Sequence, residues 1–294
     1  MKAIVRFIPN FLTLGNAALG VAGIMLIGRE DMIGAVFCVA LALVLDFLDG
    51  FVARLLNAQS ELGGQLDSLA DCITFGALPG LILFHMIAIT QGLYFVDISF
   101  WSVSDWLNCG MAFLVPMAAV YRLATFNLDT RSRPHFLGLP TPAMCLVVLG
   151  IPLVLESNYH LNFYHFIPDS ILQVLSEERR WDNSDLSIVK LLGNSMVYQL
   201  LSIFLAAAMV VRIPMISIKF NGIKWSTNKW RYALIIWALI TYFIFLVPYL
   251  DLPLLEWGRI DYLALPIFMM GYFVLSWIYA IFEAVNSDTQ THEI

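Results

Sequence analysis

Charge is what this sequence has least of. Of its 294 residues only 13% are Asp, Glu, Lys or Arg, while 60% are hydrophobic. A soluble protein of this size has no need of so much apolar surface. Polar/apolar alternation is missing too. The apolar runs are continuous, which selects helices over barrel strands, and a helix needs about 20 such residues to cross a bilayer. The four cysteines, Cys38, Cys72, Cys109 and Cys145, show no CxxC or other metal spacing, and neither do the five histidines. The cysteines read as small apolar fillers. Internal repeats and low-complexity stretches are absent. No A-x-A site follows the first apolar run, so that run is expected to be a retained helix rather than a signal peptide.

What remains is an all-α, polytopic integral membrane bundle of about eight helices, expected near 11–28, 32–56, 67–93, 106–128, 140–157, 196–214, 232–250 and 261–283. One membrane domain is expected over 1–294, with signature-bearing helices in 1–157, an external loop with some helix of its own at 158–195, and further membrane helices in 196–294. Eight crossings put both termini on one side. With the N-terminus inside, eleven Lys and Arg fall on the inner side (Lys2, Arg6, Arg54, Arg122, Arg131, Arg133, Arg212, Lys219, Lys224, Lys229, Arg231) and five on the outer (Arg29, Arg179, Arg180, Lys190, Arg259). The positive-inside rule therefore predicts both termini in the cytoplasm. The stretch "KFNGIKWSTNKWR", 219–231, alternates Lys with Trp, as an interfacial loop on anionic lipid does. It gives no reason to expect nucleic acid.

Against this background one segment stands apart: "DFLDGFVARLLNAQSELGGQLDSLAD", 46–71, with four aspartates at membrane depth. At 100° per residue Asp46, Asp49 and Ala53 share a helix face, with Gly50 beside it. Asp67 and Asp71 are i and i+4 on the next helix. A short turn over 57–66 would bring the two faces together. Four converging carboxylates repel one another unless protonated or bridged by cations. Carboxylate oxygens suit hard ions such as Mg²⁺, Mn²⁺ or Ca²⁺, and paired metals commonly clamp phosphate oxygens during displacement. Gly50, Gly63 and Gly64 leave room for a bulky anion, and Arg54 adds a fixed positive charge at the rim. Physics alone leaves three readings open: metal–phosphate chemistry, an ion or proton path, and structural pairing.

Read as D-x2-D-G-x2-A-R-x8-G-x3-D-x3-D, the segment resembles the signature of the CDP-alcohol phosphatidyltransferase family at every fixed position: Asp46, Asp49, Gly50, Ala53, Arg54, Gly63, Asp67 and Asp71. Three further stretches are similar to the phosphatidylserine synthase branch of that family: "PNFLTLGNAALG" (9–20), "DSLADCITFGALPG" (67–80) and "YRLATFNLDTRSRPHFLGLPTPA" (121–143). The arginine usual after Ala124 is Thr125 here. Residues 150–294 match only in hydropathy and helix count.

The resemblance implies a six-helix family core plus two helices, in a multi-pass enzyme of a bacterial or archaeal cell membrane. Such an enzyme moves a phosphatidyl group from CDP-diacylglycerol to an alcohol, L-serine in this branch, and releases CMP at the cytoplasmic side. It implies Asp46, Asp49 and Asp67 as ligands of Mg²⁺ or Mn²⁺ (two ions, with Ca²⁺ possible in their place), Asp71 as shared between metal and base, and a homodimer. Asp49, Gly50, Ala53, Arg54, Gly63 and Asp67 would face the cytidine diphosphate. Thr13 and Asn16, on the first helix, could reach the nucleotide or bond a neighbouring helix. Arg122, Arg131, His135, Gly138 and Thr141, with Arg133 behind them, are the candidates for acceptor or phosphate binding. Two alternatives are the same chemistry on choline, inositol or glycerol phosphate, and an ion-coupled transporter using the acids as a cation site.

Overall fold

In a computed structural model the described residues are 2–128, 136–158, 183–216, 225–246 and 264–291. They form an all-α protein with one two-residue strand pair. Five helices are long and apolar enough to cross a membrane: Phe7–Ile27, Met32–Leu55, Glu61–Thr90, Val103–Leu128 and Ala264–Phe282. A sixth span arises if the bent pair Leu186–Leu192 and Ser195–Val210 counts as one. The apolar helix Thr141–Glu156 is shorter. The chain is thus a multi-pass helical membrane protein.

The first helix, α1 (Lys2–Ile27), starts well before residue 11, where hydropathy placed it. Helix α2 (Met32–Leu55) is capped by Asp31, whose Oδ1 accepts from Gly34 N at 2.8 Å, and carries Arg54 in its last turn, a cation suited to a helix C-terminus. The turn that follows is shorter than 57–66. Ser60 caps α3 (Glu61–Asp71) by accepting from Gly63 N at 3.0 Å, and Glu61 sits in the first turn. Helix α3 runs through a π-helical turn, Cys72–Ala77, into α4 (Leu78–Thr90). A capping box of Ser102 and Asp105 starts α5 (Val103–Gly110), which a 3₁₀ turn joins to α6 (Leu114–Leu128). Beyond these lie α7 (Thr141–Leu153), α8 (Asn183–Leu192), α9 (Ser195–Val210), α10 (Trp225–Leu246) and α11 (Ala264–Thr291). The helix α8 occupies the end of the segment expected as a loop with helix of its own.

In lipid, helices gain little from hiding apolar surface from one another, so close approach at small residues matters more. The outer stripe of α2, Phe37, Leu41, Val44, Phe47 and Leu55, is exposed, while Ala35, Val39 and Ala42 face inward. One close approach brings α1 to the π-helical turn. A Cβ added at Gly20 would lie 2.3 Å from Thr74 Oγ1 and 2.9 Å from Thr74 Cα. The Thr74 hydroxyl donates to the Asn16 carbonyl at 3.0 Å across the same contact. Gly20→Val must push α1 off this turn, so it is expected to destabilise the purified protein by about 1–3 kcal/mol. Thermal melting in detergent checks this, and an unchanged midpoint would contradict the contact.

A second junction ties the halves of the chain together. Phe136 and Leu137 pair antiparallel with Met215 and Pro214. Gly138 N donates to Ile213 O (2.9 Å) and Leu139 N to Ala208 O (2.8 Å). Gly138 has φ +73°, and a Cβ there would meet Met209 O at 2.5 Å, so only glycine fits. From α11, Ser276 Oγ accepts from Ile216 N and the Tyr272 hydroxyl donates to Ile216 O, both at 3.3 Å. The entry to α7 is therefore set by the C-terminal helices.

Candidate active site

The C-terminal half of α2 and the whole of α3 pack on α1, and their acidic faces meet. One carboxylate oxygen from each of Asp46, Asp49 and Asp67 lies within 4.8 Å of the other two. Asp46 is also within hydrogen-bond reach of both Asp67 and Asp71. Asp49 and Asp71 are buried, while Asp46 and Asp67 are half-buried. Carboxylates this close repel unless a cation or a proton lies between them. Oxygens bound at Mg²⁺ distances lie at most about 4.2 Å apart, and Ca²⁺ tolerates about 5.2 Å. The oxygen trio fits a hard divalent ion with little adjustment.

Two polar residues of α1 hold the acids. The Thr13 hydroxyl lies 2.5 Å from Asp49 Oδ2 and 3.1 Å from the Pro9 carbonyl, so its one proton serves one acceptor at a time. Asn16 Nδ2 donates to Asp71 Oδ1 at 3.5 Å. Both side chains are buried, Asn16 completely. Both therefore make the helix-to-helix bond that was one of the two expectations for them.

The small residues of the segment differ in their surroundings. A Cβ on Gly63 would meet Asn10 Oδ1 and Ser60 Oγ at 3.2 Å, whereas Gly64 faces open space. Gly50 lies beside the exposed Arg54, whose Nη1 would be 3.6 Å from an added Cβ, and Ala53 is half-buried. Arg122, on α6, is half-buried and within electrostatic reach of Asp71 and of Tyr272. Thr141, the first residue of α7, is buried. Gly138 lies in the strand-pair junction, away from the aspartates in sequence but just before Thr141. Arg131, Arg133 and His135 lie outside the described residues.

Some contacts were not anticipated. Ser68 Oγ donates to Asn127 Oδ1 at 3.0 Å, and Asn127 Nδ2 reaches Gln65 Oε1 at 3.5 Å, fastening α3 to α6. A polar side chain at the end of an apolar helix, within the stretch quoted at 121–143, is the signal the sequence holds for Asn127. Nothing in the spacing could have shown Tyr272 within electrostatic reach of Arg122.

Comparison with known proteins finds a matching family and several similar sequences. Residues 6–175 match the CDP-alcohol phosphatidyltransferase family. A Helicobacter pylori protein named CDP-diacylglycerol–serine O-phosphatidyltransferase is 31% identical over 234 residues, 79% of this chain and 80% of the relative. Proteins of the same name from Bacillus subtilis (33% over 147 residues, 49% of this chain, 76% of the relative) and Saccharomyces cerevisiae (31% over 183 residues, 56% and 61%) are also similar. The 234-residue match necessarily runs beyond residue 150, so the likeness in the second half is more than hydropathy.

Proposed function

The chain belongs to the CDP-alcohol phosphatidyltransferase family and is a transferase, and from that premise we propose that it moves the phosphatidyl group of CDP-diacylglycerol to the hydroxyl of L-serine, giving phosphatidylserine and CMP. The observation that carries this reading is the convergence of the Asp46, Asp49 and Asp67 oxygens with Asp71 beside them. The names of the relatives support serine as acceptor.

Asp46, Asp49 and Asp67 are the residues that would hold one or two Mg²⁺ or Mn²⁺ ions. Such ions would offset the pyrophosphate charge and favour departure of CMP. Thr13 fixes the Asp49 carboxylate, and the small residues Gly50, Ala53 and Gly63 leave a wall the nucleotide can lie against. Arg54 supplies a positive charge at its edge. The serine hydroxyl needs a base within hydrogen-bond reach, and Asp71 takes its proton as the oxygen attacks the β-phosphoryl. The step is one displacement without a covalent enzyme intermediate, so a donor chiral at phosphorus should give inverted product, and retention would refute it.

The site lies at the inner ends of α2 and α3 when the N-terminus is cytoplasmic, in a bacterial or archaeal cell membrane crossed about eight times by a single domain. Acyl chains then enter between helices while the nucleotide docks from water. A homodimer completes the reading. The decisive assay supplies purified protein with CDP-diacylglycerol, Mn²⁺ or Mg²⁺ and a panel of alcohols, and follows CMP and lipid product. CMP release is expected to scale with serine. Dependence on choline, inositol or glycerol phosphate instead would replace the acceptor, and cation flux without CMP would replace the enzyme by a transporter.

A further inference from the structure

Helix α3 is short and polar, "ELGGQLDSLAD", so its side chains rather than apolar burial decide how it is turned. At about 100° per residue, counted from Asp67, Asp71 lies at about 40°, Ser68 at about 100°, Gln65 at about 160°, Leu69 and Leu62 at about 200–220°, and Gly63 at about 320°. Each arc has its own surroundings. The aspartate arc faces α2, where an Asp67 oxygen joins those of Asp46 and Asp49 within 4.8 Å. Gly63 faces α1, where an added Cβ would meet Asn10 Oδ1 at 3.2 Å. Leu62 and Leu69 are exposed. The remaining arc faces the last turn of α6. There the buried Ser68 donates to Asn127 Oδ1 at 3.0 Å, and Asn127 Nδ2 reaches Gln65 Oε1 at 3.5 Å.

Without a cation the clustered carboxylates repel one another. A rotation of α3 that carries Asp67 and Asp71 away from α2 relieves that repulsion, and the same rotation separates Ser68 from Asn127. From α1, Asn16 holds Asp71 at 3.5 Å, a longer bond than the one between Ser68 and Asn127. Ser68 also has an acceptor in its own helix, the Gly64 carbonyl at 3.2 Å. Loss of Asn127 therefore leaves Ser68 a partner, and what disappears is the connection that fixes the turn of α3.

We propose that Ser68 and Asn127 preorganise the metal site: their hydrogen bond is a latch that holds α3 at the rotation where its aspartates face α2, so the oxygen trio is assembled before a divalent ion arrives. Asn127 is a positioning residue, acting through Ser68 from the neighbouring helix. The proposal rests on the metal-dependent reading above. An ion binds more weakly in proportion to the fraction of protein in which its ligands are not assembled, so latch and ion strengthen each other.

The test is calorimetric titration of purified, metal-free protein with Mn²⁺, followed by CDP binding. Ser68→Ala and Asn127→Ala are each expected to weaken Mn²⁺ binding about three- to tenfold, the worth of one such hydrogen bond. The double variant should be no weaker than the worse single one, because both changes break the same bond. Leu69→Ala, on the exposed arc of the same helix, should stay within about twofold of the unmodified protein. Saturating Mn²⁺ should return CDP affinity in the latch variants to that of the unmodified protein, which general damage to α3 would not allow. Unchanged Mn²⁺ affinity in both single variants, or losses that add in the double variant, would overturn the latch. Should the variants fail to fold, hydrogen exchange on the unmodified protein decides: α3 must be protected before Mn²⁺ is added, and protection that appears only with Mn²⁺ refutes preorganisation. Mn²⁺ binding that is the same in all proteins defeats the latch alone, whereas no Mn²⁺ binding by the unmodified protein removes the metal-dependent reading beneath it.

Discussion

Asp71→Asn is expected to lower turnover about 10²–10⁴-fold, the range that a positioned general base supplies, while CDP binding changes little. The substitution keeps the shape of the side chain. An asparagine carbonyl can still accept from Asn16 Nδ2 at the place of Asp71 Oδ1, and its NH₂ can donate toward Asp46, which lies within hydrogen-bond reach. The packing around this buried position is therefore preserved, and only the capacity to take a proton is lost. Single-turnover CMP release and calorimetric CDP binding, measured on the same preparation, separate the two effects. Loss of both together would place Asp71 among the essential metal ligands rather than in the role of base.

Asp49→Ala removes one third of the oxygen trio and strands the Thr13 hydroxyl, which retains only the Pro9 carbonyl. Metal-dependent CDP affinity is expected to fall by at least about tenfold, since even outer partners of metal ligands cost 10–100-fold when lost. Chelation provides the internal control. Removing divalent ions from the unmodified protein should bring its CDP affinity down to that of the variant, and the variant itself should hardly respond. Unchanged CDP binding by the variant in the presence of Mn²⁺ would count against Asp49 as a ligand.

The helical phase of Asp46 and Asp49, and the i, i+4 pair of Asp67 and Asp71, made the acidic cluster legible before any coordinates. Side-chain direction is fixed by a helix's period, so spacing sufficed. The partners of those acids were less legible, because Thr13 and Asn16 are far away in sequence and only the packing of α1 decides what they touch. The start of α3 was misplaced for a different reason. Its first turn, "ELGGQL", is too polar for a hydropathy window, but Ser60 caps it nonetheless. The π-helical turn after Asp71 and the strand pair at 136–137 and 214–215 leave no periodic trace at all. The expected eight spans compare with five, or six with the bent pair, among the described residues. Part of the difference is the helix expected at 232–250, whose residues 247–250 lie outside them, and part is Thr141–Glu156, which is shorter than a span.

The junction at Gly138 bears on how far this protein could be trimmed. A fragment restricted to the family-matched residues 6–175 would retain Leu139 but lose Ala208 and Ile213, the residues whose carbonyls receive the Leu139 and Gly138 N–H groups. Both donors are buried in the whole chain, and the fragment gives up both hydrogen bonds together with the residues that cover them. The later helices are thus a clasp on the half of the chain that carries the aspartates rather than a dispensable appendage, and shortened versions should lose the entry to α7 before they lose the aspartates.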